Sequence, residues 1–131
     1  MTAGLGWTAF AAVGAGAAVG AWARWGLGLL LNPLFVWIPL GTLVANLTGG
    51  LLMGMVLGWV QAVPSMAPAL KLLLTTGLLG GLTTFSTFSA EGLHLLQRGE
   101  WGWLAVHAVA HVVGCLFMAW VGFAIFNSLR G

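Results

Sequence analysis

Gly80-Gly81-Leu82-Thr83-Thr84-Phe85-Ser86-Thr87-Phe88-Ser89 decides how this chain is read. The stretch lies inside an apolar segment long enough to cross a bilayer. Yet five of its last seven residues are Thr or Ser, and the other two are Phe. Two adjacent glycines open it. Hydrocarbon offers no water to loose backbone or stranded hydroxyls, so such a segment belongs against protein, lining a path or a site.

Outward from it, the sequence is apolar almost throughout. Of 131 residues, 60% are hydrophobic and 5% charged; an ordinary soluble domain carries about 25% charged residues. The charged residues are Arg24, Lys71, Glu91, Arg98, Glu100 and Arg130. The runs 1–23, 25–70, 72–90 and 101–129 carry no charge, and roughly 20 residues suffice for a membrane-crossing helix. The expectation is an all-α integral membrane protein with four transmembrane helices, the third broken near its middle. The spans are placed at about 4–31, 39–61, 69–97 and 101–127, forming a single domain over 1–131. Asn32-Pro33, Pro39, Pro64, Pro68 and Gly99 mark the borders, because Pro lacks a backbone donor and Gly ends helices cheaply.

The remaining composition excludes several classes. No Lys or Arg precedes the first apolar run, which is longer than a leader's core, so a cleaved signal peptide is not expected. The lone Cys115 cannot form an internal disulfide and reads as a small packing residue. A net charge of +2 without a basic patch gives no surface for nucleic acid. Trp37, Trp59, Trp101 and Trp103 fall near span ends, where indoles anchor at the interface. Trp22, Trp25 and Trp120 fall deeper and are expected to pack.

Two features bear on assembly. With four spans, Lys71 and Arg130 lie towards one membrane face and Arg98 and Arg24 towards the other. Basic residues set orientation by their excess on the cytoplasmic side, and two against two gives no excess. Either something subtler sets one topology, or chains insert both ways and pair antiparallel. On the second span Thr42, Asn46, Gly50, Gly54 and Gly58 recur every four residues, and on the first Gly16, Gly20, Arg24 and Gly28 do the same. Small residues at this spacing let helices approach closely. Packing within one subunit explains the glycines; Asn46 and Arg24 need a polar partner or water besides. Four helices leave little interior for a pathway, which two copies build more easily, and the twofold dimer is the commonest symmetric assembly.

In the third span, Thr75-Thr76-Gly77 and Gly80-Gly81 weaken the helix just before the hydroxyls. A break frees carbonyls, which suit a small cation, and N–H groups, which suit an anion. Phe85 and Phe88 share a helical face. Core packing is the plain reading of that spacing, but their interleaving with hydroxyls favours an anion's path, since ring edges are electropositive.

The run from Gly80 to Ser89 with Ala90-Glu91 resembles the signature of the Fluc (CrcB-type) fluoride channels. Ala23-Arg24-Trp25 resembles the family's first-span arginine motif. Asn32-Pro33 with Pro39-Leu40-Gly41-Thr42-Leu43-Val44-Ala45-Asn46 resembles the opening of its second span. The similarity covers essentially the whole chain. It implies an antiparallel, dual-topology homodimer in a bacterial inner membrane, with two pores conducting fluoride out of the cell by passive electrodiffusion and so protecting it from fluoride toxicity. It also implies a structural sodium ion at the dimer centre, held by backbone carbonyls of Gly80 and Thr83. Phe85 and Phe88 then correspond to the pore-lining aromatic pair and Asn46 to the pore amide, with Thr42, Ser86 and Thr87 as further polar lining and Arg24 as a structural intramembrane charge. Glu91 matches the acid closing the motif.

The chain departs from the family pattern on the fourth span, where His107, His111 and Cys115 follow one another at four-residue steps. Imidazoles there can donate to an anion, and His changes charge near neutrality; alternatively both are neutral and packed. Two other functions compete with the channel. A small proton-coupled multidrug-type exporter needs a membrane-embedded acid, and the only acids are Glu91 and Glu100. A haem or metal redox protein would rest on the His107/His111 pair alone. No nucleotide-binding fingerprint or nucleophile motif is present, so the chain is not expected to be an enzyme.

Overall fold

In a computed structural model, residues 6–131 are described. Helix α1 runs Trp7–Leu31 and α2 runs Leu40–Ala62. A composite helix α3 covers 68–82, α4 runs Phe85–Gln97 and α5 runs Trp101–Arg130. These match the four expected spans, with α3 and α4 as the two parts of the third; the first residues of the first span, Gly4 and Leu5, lie outside the described residues. Leu40–Ala62, Pro68–Gln97 and Trp101–Arg130 are each long and apolar enough to cross a membrane. Helix α1, at 25 residues, also exceeds the roughly 20 required, although Arg24 lowers its hydropathy. This is a multi-pass membrane protein.

The glycine stripes are used for packing within the chain. A Cβ on Gly54 would collide with Ala119 O and one on Gly50 would lie 2.9 Å from Cys115 O, so α2 lies directly on α5. Gly122 returns the fit from the other side, against Leu51 O. On α1, Gly16 and Gly20 admit the backbone of residues 73–82 in the same way. Since apolar surface gains little by leaving lipid for another helix, close van der Waals fit of this kind drives association.

The break is not where the glycines are. Gly80 keeps helical angles (φ −64°, ψ −37°), and Gly81 presses against Ala17 of α1. Instead the chain extends at Thr83 (φ −90°, ψ 155°) and Thr84 (φ −151°, ψ 120°). Upstream, Leu73–Leu79 forms a π-helical stretch, a form that marks functional sites more often than chance allows. Glycine permits a break but does not impose one; the polar side chains described below hold it.

Other expectations are also corrected. Trp22, Trp25 and Trp120 do not pack within the chain: they are 66%, 67% and 65% exposed on its outer surface. At one end, Arg98 lies 5.4 Å over the Trp37 ring, which stacks on Trp103 at 5.8 Å. That contact joins the loops after α1 and after α4 at the same end of the bundle.

Candidate functional site

The broken span needs partners for its backbone, and Asn46 supplies most of them. Its Oδ1 accepts from Thr84 N–H at 2.8 Å, and its Nδ2 donates to Thr84 C=O at 3.1 Å. The peptide groups dictate which end of the amide is which. The second Nδ2 hydrogen meets His111 Nδ1 at 3.0 Å. An unpaired backbone group in hydrocarbon costs several kcal/mol; this reciprocal pair satisfies both groups of Thr84, while Thr83 N–H donates to Leu79 C=O at 3.0 Å. Thr84 then starts α4, its Oγ1 accepting from Thr87 N–H at 3.1 Å as an N-cap. Arg24 Nε donates to Gly81 C=O at 3.1 Å, giving the intramembrane charge its partner.

Two carbonyls lose their helical donors through this arrangement. Thr84 N–H, which an unbroken helix would give to Gly80, is held by Asn46. Thr87 N–H, which would serve Thr83, goes to Thr84 Oγ1. Gly80 and Thr83 thus offer oxygen atoms of the kind a hard monovalent cation takes.

Beside the break lies a groove of about 420 Å³ whose lining includes Asn46, Gly80, Thr83, Thr84, Phe85, Phe88, His111 and Cys115. Phe85 and Phe88 sit with centroids 5.4 Å apart. Phe88 stacks on His107 and tilts against His111, each at 4.7 Å. Phe85 points outward and is 77% exposed.

Of the residues singled out from the sequence, Thr42, Ser86, Thr87 and His107 do not line this groove. Thr42 is buried and donates to Glu91 Oε2 at 2.6 Å. His107 donates through Nε2 to Phe88 C=O at 3.0 Å, and its Nε2 is 4.0 Å from Glu91 Oε1. Ser86 and Thr87 surround the Thr84 hydroxyl. Asn46 does line the groove, but its amide, expected to face an anion, is committed to Thr84 and His111.

Three residues carry more than the sequence suggests. Thr84 is the hinge of the site, and only its position before Thr87 hints at a cap. Asn32 reads as a span terminator, yet its Oδ1 accepts from Gly41 and Thr42 N–H (2.8 and 3.2 Å) and so fixes the start of α2. Gly49, outside the four-residue stripe, makes room for the Thr83 methyl.

Comparison with known proteins bears on this constellation. The family model described as CrcB-like protein, Camphor Resistance (CrcB), matches residues 11–123. The chain belongs to the CrcB-like family. Among its relatives, the Fluoride-specific ion channel FluC of Aromatoleum aromaticum is 74% identical over 123 residues, covering 94% of both chains. The protein of the same name from Thiobacillus denitrificans is 55% identical over 94% of this chain and 99% of that one. That from Pseudomonas putida is 51% identical over 92% and 94%. Break, aromatic pair and Asn46 all lie within the part of this CrcB-like chain that the family model matches.

Proposed function

We propose that this protein is a fluoride-selective channel that lets a cell discharge fluoride passively through its inner membrane. The observation that carries the reading is the 74% identity, over nearly the full length of both chains, to a relative named for fluoride-specific conduction. The geometry is compatible with it. A break held open by side chains accompanies two aromatic rings and an imidazole along one groove. Fluoride enters cells as neutral HF and dissociates inside; a negative interior then drives the anion out without ATP. No enzymatic step belongs to this function.

The working unit in this reading is an antiparallel homodimer of chains inserted in both orientations. Its support is physical: the groove opens on the interrupted backbone at Gly80 and Thr83, and lipid does not tolerate backbone carbonyls without donors. A second copy covers it and completes two pores. The carbonyls of Gly80 and Thr83, relieved of their helical donors, are the groups that would hold a structural sodium ion, which would supply the positive charge those oxygens lack. Phe85 and Phe88 line the anion's route.

Bacteria stripped of their own fluoride exporter and expressing this chain should grow in fluoride at mildly acidic pH, where HF entry is fastest. The same cells expressing Phe88→Ile at equal membrane abundance should not. Equal growth of both strains would remove the aromatic pair from the mechanism; no rescue by the unaltered chain would remove fluoride export itself.

A further inference from the structure

Among the described residues, the buried side-chain polar atoms with no protein partner are Glu91 Oε1, His107 Nδ1 and His111 Nε2. They belong to residues whose ligating atoms lie within 4.8 Å of one another. A carboxylate and two imidazoles invite a metal-site reading. Hydrogen-bond chemistry decides otherwise.

Asn46 has no freedom in the matter. Thr84 N–H can only donate and Thr84 C=O can only accept, so Oδ1 faces the first and Nδ2 the second. The remaining Nδ2 hydrogen points at His111 Nδ1. That nitrogen must accept, and a neutral imidazole that accepts at Nδ1 carries its proton on Nε2. A metal at Nε2 would need the lone pair there and a proton on Nδ1, facing the Asn46 donor. His107 is set the opposite way: its Nε2–H donates to Phe88 C=O, which in the neutral ring leaves a lone pair on Nδ1. Of the three orphaned atoms, His111 Nε2 is therefore the donor.

We propose that Asn46 is a positioning residue that locks His111 in its Nε2–H form, and that this N–H is a hydrogen-bond donor to the permeating anion and its water. The inference rests on the fluoride reading for the identity of the anion, but the tautomer does not. His111 is 3% exposed and lines the groove, so its N–H is desolvated and worth most to an ionised acceptor. The lone pairs on His107 Nδ1 and Glu91 Oε1 repel a bare anion. An anion held at His111 is therefore separated from them by water, which donates one hydrogen to the anion and the other to one of these lone pairs. Phe88, against both imidazoles, keeps the rings in place.

The test is nitrogen-15 NMR of histidine-labelled protein in bilayers, paired with fluoride efflux from liposomes. The His111 signals should show a bare Nδ1 and a protonated Nε2, and the Nε2–H resonance should move on adding fluoride but not chloride. In Asn46→Asp, whose carboxylate accepts from both Thr84 N–H and His111 Nδ1–H, the tautomer should flip. Replacing His111 separates the donor from the added charge: His111→Gln, which keeps an N–H at similar reach, should pass fluoride about tenfold faster than His111→Leu, the order expected for a hydrogen bond to a charged acceptor. A protonated Nδ1 in the unaltered protein, an unflipped tautomer in Asn46→Asp, an unmoved Nε2–H resonance with fluoride, or equal flux in the two His111 variants would each overturn the inference. Absence of fluoride flux in the unaltered protein would instead sink the channel reading, while leaving the tautomer measurable.

Discussion

Asn46 shows what one buried amide can do: three hydrogen bonds, to Thr84 twice and to His111 once, turn a liability into a site. Its importance was legible in the sequence, because an amide inside a membrane span must have a partner. The partner was not legible: Thr84 is 38 residues away and looks like its neighbours. Gly49 carries the same lesson from the side of space. A Cβ there would overlap the Thr83 methyl, and the Thr83 side chain is not free to turn, since its Oγ1 donates to Leu79 C=O at 2.8 Å. Gly49→Ala should therefore displace Thr83 and its carbonyl, lowering thermal stability in detergent and cutting fluoride flux at least about tenfold, a barrier change near 1.4 kcal/mol. Unchanged stability and flux would mean that the fit is slack.

At the scale of elements, the third span is best understood as a helix, a two-residue bridge and a second helix. The sequence marked a break over Gly80 to Thr83, and the extended backbone falls at the end of that range, on Thr83 and Thr84 rather than on the glycines. Those glycines serve the helix instead: Gly81 meets α1 backbone at Ala17, and Gly80 stays helical. Breaking falls to the capping chemistry of Thr84 and to Asn46, which withdraw N–H groups from the helical ladder. Thr84→Val keeps the shape of the side chain and removes the cap on α4. It should destabilise the protein by about 1 kcal/mol, the usual worth of an N-cap, read as a lowered Tm, with faster hydrogen exchange at Thr87. Exchange at Thr87 equal to that of the unaltered protein would show the cap to be incidental.

For the whole molecule, composition and Pro/Gly punctuation were enough to find four helical spans, because the bilayer fixes both length and polarity. What they could not separate was packing inside the chain from packing between chains. The glycine stripes on α1 and α2 prove to be internal, while Trp22, Trp25 and Trp120 face outward. Dual topology makes its own prediction. Gln61→Lys with Ser65→Lys loads one end of the bundle and should force a single orientation, leaving the chain inactive when expressed alone. Activity should return on co-expression with a chain carrying Leu34→Lys and Val36→Lys at the opposite end. Full activity of either variant alone would contradict antiparallel pairing.

The most direct test of the account is the initial efflux rate of fluoride and of chloride from one batch of liposomes holding the purified protein, each ion followed by its own electrode. Fluoride should empty within seconds of relieving the membrane potential, while chloride remains inside; equal rates for the two ions, or no fluoride efflux above protein-free liposomes, would contradict it.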